Sequence, residues 1–262
     1  MLSCLDKIHM KKQFARTELL IGKRSLEKLH NATVAVFGIG GVGSYAAEAF
    51  ARCGIGRIIL IDDDLICLTN INRQLHATHT TIGRPKVEVM KERILDINPK
   101  AKVEIHQKFY LPANGAELMH GDYDYVVDAL DTVTAKIDIV IRAKALGIPV
   151  ISCMGSGKKL DPTRFEVADL FDTSVCPLCR VMRIELRKRG IDRLKVVYSK
   201  EPLMEPFVTE DPACKKSCVC PKGSSIRTCA DRRDIPGTIS FIPSVSGLIA
   251  ASVVVRDLIA GD

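Results

Sequence analysis

The sequence has no tryptophan, and aromatic residues make up only 5% of its 262 positions. That scarcity argues against an extensive base-stacking platform, so any nucleic acid would be recognised mainly through its backbone charge. A secretory signal is not expected either, because the first 13 residues set Asp6, Lys7, Lys11 and Lys12 among single apolar residues and lack an uninterrupted apolar core. The most apolar late stretch, 245–260, carries Arg256 and Asp257 and is short for a membrane span, so a buried helix is expected there and no membrane partner. Neither an internal repeat nor a long disordered tract is present, and 47% hydrophobic residues fit a globular chain. Ten cysteines occur, none after Cys229. With no export signal they are expected to be reduced, and the protein cytoplasmic.

Charge is concentrated. The net +7 arises from two segments, 180–195 at +5 and 214–234 at +4, against −2 for everything else. This pattern suits a polyanionic partner; a solvated helix face beside a basic loop would give the same count.

The alternation of apolar runs and amphipathic segments points to an α/β fold. TVAVF at 33–37 is a strand, and residues 44–53 follow with the small-residue pattern of a helix. RIILI at 57–61 is a second strand, and 86–96 an amphipathic helix ending before Asn98-Pro99. Further strands at 102–105, 125–129 and 149–152 complete a doubly wound, mostly parallel, Rossmann-like sheet, with C-terminal elaborations beyond. In those elaborations a strand is expected at 165–168, a basic helix at 178–189, and a Pro- and Cys-rich stretch to about 236.

Gly38, Gly40 and Gly43 form G-x-G-x-x-G between the first strand and its helix, where backbone N–H groups can approach a phosphate; Gly41 allows closer approach still. The second strand ends in Asp62, Asp63 and Asp64, which offer a carboxylate to a ribose hydroxyl. Those two features describe a dinucleotide-dependent dehydrogenase equally well. Asn70, Arg73 and Lys86 decide the matter, because a nicotinamide pocket does not need such a density of polar and cationic groups and a triphosphate does. Attack by a carboxylate on an α-phosphorus brings two anions together, so cations must neutralise the developing charge and hold the leaving pyrophosphate. No general base is required, since a carboxylate is ionised at neutral pH. Asp131, just past the strand 125–129, suits Mg²⁺ binding, a helix N-cap in D-T-x-T-A-K, or both.

Taken in order, GIGGVGS, LIDDD, TNINRQ, GRPKVEV and DALDT resemble the ThiF/MoeB branch of the ubiquitin-activating-enzyme superfamily, across residues 16–156. The resemblance implies one ThiF-type domain over 1–262, with a nucleotide-binding core at 14–156. A substrate-side elaboration would occupy 157–262 and include a Cys-rich basic loop at 199–236. It implies ATP and Mg²⁺ as cofactors. The glycines Gly38, Gly40, Gly41 and Gly43 would line the nucleotide, Asp62 would bind the ribose with Asp64 as the nearby alternative, Asn70, Arg73 and Lys86 would hold the phosphates, and Asp131 would coordinate Mg²⁺. Arg16, in F-A-R-T-E-L-L-I-G, matches the family's arginine that reaches across a dimer interface to the partner's ATP, which implies a homodimer; an ordinary surface arginine is the plain alternative.

Members that charge sulfur-carrier proteins usually hold zinc with two C-x-x-C pairs, the second near the C-terminus. Here Cys176 and Cys179 form C-P-L-C, the tail has no second pair, and Cys214, Cys218, Cys220 and Cys229 lack a standard zinc spacing. Reduced loop cysteines are therefore expected in preference to a zinc site, for which these six would be the candidates. Cys229, near Arg232 and Arg233, is also a candidate nucleophile, while Cys53, Cys67 and Cys153 are expected to be packing residues.

SCMGSGKKLDPTRF at 152–165 and RDIPGTISFIPSV at 233–245 resemble a narrower group, the tRNA threonylcarbamoyladenosine dehydratases. This implies adenylation of the threonine carboxylate on a modified tRNA adenosine, with ATP becoming AMP and pyrophosphate, followed by intramolecular ring closure. Arg180, Arg183 and Arg187 fall on one helical face, with Leu178, Met182 and Leu186 on another, and with Arg232 and Arg233 they are the candidate tRNA contacts. The alternative is an adenylyltransferase for the C-terminus of a ubiquitin-like sulfur carrier. A cysteine-desulfurase or sulfur-acceptor partner is left open.

Overall fold

The structure, a computed structural model, describes residues 12–205, 207 and 236–260. Seven strands form one sheet: β1 (Thr33–Phe37), β2 (Arg57–Ile61), β3 (Lys102–His106), β4 (Tyr125–Asp128), β5 (Val150–Cys153), β6 (Phe165–Asp169) and β7 (Lys195–Ser199). Their order is β3-β2-β1-β4-β5-β7-β6. All pairings are parallel except β6 with β7 at the edge. The central strand β1 is buried at every position, which is why it reads as an unbroken apolar run.

Successive residues of β1 serve opposite faces. Val34 and Val36 pack with α1 (Ala15–Asn31), α2 (Gly43–Cys53), α3 (Lys86–Ile97) and a late helix, Phe241–Ala260. Ala35 and Phe37 pack with the short α4 (Gly115–Leu118) and with α5 (Val133–Ala145). A third cluster joins α5 to α6 (Pro177–Arg187) over β7. The chain runs outward from β1 through β2 and β3, then returns to β4 on the other side, so the β1/β4 boundary is the topological switch point where such sheets take their ligands.

Three differences from the sequence expectations stand out. Strand β7, which was not expected, lies between β5 and β6. Residues 196–199 are buried throughout, and so short a run after a charged segment carries no alternation to mark it. The late helix, α7, has 20 residues rather than the 16 of 245–260, and by length and composition it could cross a membrane. It nevertheless buries Ile242, Ala250, Ala251 and Val254 in the core, and a methyl on Gly247 would sit 2.2 Å from the Val42 carbonyl of the glycine-rich turn. On α6 the buried face is Cys179, Met182 and Leu186, with Leu178 only half-buried.

Candidate functional site

The glycine-rich turn connects β1 to α2 at the switch point. Gly38 has φ +90°, where L side chains are strained, and a methyl there would meet the Ala129 carbonyl at 2.8 Å. At Gly43 a methyl would lie 1.8 Å from the Gly38 carbonyl, so the helix start can close over the strand end only without a side chain. Gly41 answers to packing as well as to any ligand, because its added methyl would press on Pro243 of α7 at 3.0 Å. Around Gly40 the nearest atom would be Gln74 Nε2 at 3.9 Å.

Asp62, at the end of β2, holds this turn from behind. Its Oδ2 accepts the Ile39 N–H at 2.6 Å and its Oδ1 the Asp64 N–H at 2.9 Å. Lys86, the first residue of α3 and itself buried, donates from Nζ to Asp64 Oδ2 at 2.6 Å and lies 3.7 Å from Asp62 Oδ1. Burial pushes the Asp62 carboxyl above its usual range, and Lys86 opposes that shift. Asp63 is raised to about 6 by burial and by the carboxylates on either side. The cation and the acidic strand end are therefore assembled at one place.

Asn70 is buried and accepts the Cys67 N–H at 3.1 Å, which fixes the 3₁₀ turn Leu68–Asn70. Arg73 leaves that turn and donates to Thr69 O at 2.7 Å and Asn72 Oδ1 at 3.0 Å. The next residues form the wall behind it: Leu75 N–H donates to Ser44 Oγ of α2 at 3.3 Å. Among the described residues, Gln74 Oε1 and both ring nitrogens of His76 are buried without a hydrogen-bond partner. His76 is driven down to about 3 by burial and by Lys86, so its ring is neutral. Sequence reasoning assigned neither residue a role; their only signal was the position of Q-x-H directly after Arg73.

A second group lies at the end of β4. Asp128, fully buried, accepts Lys136 Nζ at 2.9 Å and Ser152 Oγ at 2.5 Å, and its Oδ1 takes the Leu130 N–H at 3.2 Å. Lys136 also donates to the Cys153 carbonyl at 2.8 Å. This network ties the ends of β4 and β5 to α5 and fixes the backbone that leads to Asp131. Asp131 itself is exposed, and Thr132 Oγ1 donates to its Oδ1 at 3.4 Å. The helix there takes Thr132 as its N-cap, so the N-cap position considered for Asp131 falls one residue later.

Other predicted site residues lie apart. Arg16 is exposed on α1, next to Leu19 and Leu20, which are 88% and 85% exposed. On α6 the three arginines do not form a uniform stripe. Arg183 is turned inward, its Nη1 donating to Thr173 O at 2.8 Å and Leu170 O at 3.3 Å, and Arg187 stacks over the Phe171 ring at 5.3 Å, while both Arg180 and Arg187 are exposed. Cys176 and Cys179 are buried and unbridged, and among the described residues they meet no further His, Cys, Asp or Glu placed to share a metal ion. Cys67 and Cys153 are buried, as packing residues should be, and Cys53 is half-buried. Cys214, Cys218, Cys220, Cys229, Arg232 and Arg233 lie outside the described residues.

Comparison with known proteins follows the same geometry. The ThiF family profile matches residues 13–259. The chain is 44% identical over 248 residues to the tRNA threonylcarbamoyladenosine dehydratase of Bacillus subtilis (strain 168), covering 94% of each chain. It is 36% identical over 261 residues to the enzyme of that name from Escherichia coli (strain K12), covering 95% of this chain and 94% of that one. The solved structure of the E. coli tRNA N6-threonylcarbamoyladenosine dehydratase in complex with ATP superposes with a TM-score of 0.81 at 34% identity, over 95% of both chains.

Proposed function

This chain belongs to the ThiF family, and from that premise and the geometry of its site we propose that it is an ATP-dependent tRNA threonylcarbamoyladenosine dehydratase. The observation that carries the reading is the convergence, at one switch point, of the glycine-rich turn, the Asp62–Lys86–Asp64 cluster, Arg73 and the strand end leading to Asp131. Full-length similarity to relatives of that name supplies the substrate class.

In the proposed reaction a threonine carboxylate oxygen attacks the α-phosphorus of ATP, pyrophosphate departs, and an acyl-adenylate forms. Intramolecular attack on its carbonyl then closes the ring and expels AMP. This chain's contribution is electrostatic: Lys86 and Arg73 offset the charge that grows when two anions meet, and Asn70 assists in holding the phosphates. We assign the ribose to Asp62, whose carboxylate is immobilised by two backbone N–H groups and retains acceptor capacity. Lys86 pairs with Asp64, so that carboxylate is the weaker candidate. Asp131 fits Mg²⁺ because it presents an exposed carboxylate at a strand end, the oxygen donor a hard cation takes; bound there, the ion would neutralise phosphate charge. Arg16 is assigned to a partner subunit's nucleotide in a homodimer, and Arg180 and Arg187 to tRNA phosphates.

The test is pyrophosphate exchange. Exchange into ATP should be stimulated by tRNA carrying threonylcarbamoyladenosine and not by a ubiquitin-like sulfur carrier ending in a free carboxylate. Stimulation by the carrier alone would instead establish the sulfur-carrier adenylyltransferase.

A further inference from the structure

A buried ion pair closes the loop that carries Asp131. Asp128 ends β4 and α5 begins at Val133, so residues 129–132 are the whole connection. Lys136 lies in the first turn of α5, where its N–H donates to Thr132 O at 3.0 Å, and its side chain returns across the loop to Asp128 Oδ2 at 2.9 Å. Both residues are fully buried. The three ammonium hydrogens face three acceptors, Asp128 Oδ2, Ser152 Oγ at 3.2 Å and the Cys153 carbonyl at 2.8 Å. Asp128 in turn accepts from Lys136, from the Ser152 hydroxyl and from the Leu130 N–H, so α5, β5 and the loop converge on one carboxylate.

The same strand end bears on the glycine-rich turn. Asp128 pairs in register with Phe37, and the Ala129 N–H donates to Phe37 O at 2.8 Å. The Ala129 carbonyl is the atom that a methyl on Gly38 would meet at 2.8 Å. The loop therefore leaves β4 pressed against the nucleotide turn and is fixed at its far end by Lys136, with the exposed Asp131 between. Burying two charges is costly, and apolar residues of the same volume commonly serve stability as well or better. What they do not supply is direction, because a fully satisfied polar network holds one arrangement of the groups it joins.

From this arrangement we infer that Asp128 and Lys136 are positioning residues for the proposed reaction, their pair setting loop 129–132 so that the Asp131 carboxylate meets the divalent cation carried by the ATP phosphates. This role rests on the proposed assignment of Asp131 to Mg²⁺. Neither member of the pair has exposed surface from which to reach ATP, so both act through the loop backbone. Groups that orient a metal ligand from behind commonly account for about tenfold or more of the metal's affinity.

The test measures ATP binding to the full chain by calorimetry, once with Mg²⁺ and once with EDTA. The ratio of the two dissociation constants reports how strongly the protein and the cation cooperate, apart from turnover. In the Asp128→Leu, Lys136→Met double variant the unfolding midpoint should match or exceed that of the native chain. Its ATP affinity in EDTA should stay within about twofold, while the advantage given by Mg²⁺ shrinks by about tenfold. Asp131→Ala should shrink that advantage too, and all three substitutions together should cause no further loss, because the pair acts through Asp131. Should the double variant not fold, Ser152→Ala, which removes one hydroxyl from the network, should shrink the advantage by about threefold. An undiminished Mg²⁺ advantage in the folded double variant, or in Ser152→Ala where that variant carries the test, would overturn the inference. So would a further loss in the triple variant, or equal weakening with and without the cation, which marks a general collapse of the pocket. An undiminished advantage in Asp131→Ala would instead remove the assignment of Asp131 to Mg²⁺, and the positioning role with it.

Discussion

Lys86 and Arg73 show how single residues govern the proposed chemistry. Each is a cation held by named partners at the nucleotide end of the sheet. Arg73→Ala and Lys86→Ala should each lower adenylation by about two or more orders of magnitude, with unfolding midpoints showing an intact fold. Pyrophosphate exchange checks this, and near-normal turnover in both would reject the site. Asp63 allows a test by pH. Its carboxyl is raised from 3.8 to about 6, so the folded state binds this proton more tightly than the unfolded chain does. Ionisation therefore removes stability as pH rises between about 4 and 6, and the loss is complete above that window. Asp63→Asn should raise the thermal midpoint at pH 7.5 and give no gain near pH 4; equal effects at both would show that the carboxylate is not the cause. Lys136 was legible only in part: a lone lysine on the helix face shared with Ile139, Val140 and Ala143 signals a buried partner, but nothing in sequence names Asp128.

At the scale of elements, β1 to β5 were readable, most plainly β1, β2 and β4, whose apolar runs end in a glycine or an acid at the ligand edge. β7 was not, since it borrows its environment from β5 and β6 rather than from its own pattern. Helix α6 separates the arginines that periodicity had grouped. Arg183 binds the carbonyls of residues 170 and 173, so Arg183→Gln should lower the unfolding midpoint with little change in tRNA affinity. The Arg180→Gln, Arg187→Gln double variant should weaken tRNA binding and flatten its salt dependence while ATP affinity is kept. Affinities measured across a salt series separate the two, and an unchanged slope in the double variant would leave these charges as solvated surface.

At the scale of the whole molecule, Arg16 lies on an exposed helix turn beside Leu19 and Leu20. Mixing Arg16→Ala with Asp131→Ala subunits should restore activity, because one site of each heterodimer then has both residues. No recovery despite demonstrated subunit exchange would reject the donation in trans. The central claim, that the adenylated carboxylate is carried by tRNA, has a more direct readout. Incubated with this protein, ATP and Mg²⁺, tRNA bearing threonylcarbamoyladenosine should yield a nucleoside lighter by one water, with one AMP formed per ring closed. Unchanged nucleosides, while the same preparation turns over ATP with a carrier-protein carboxylate, would contradict it.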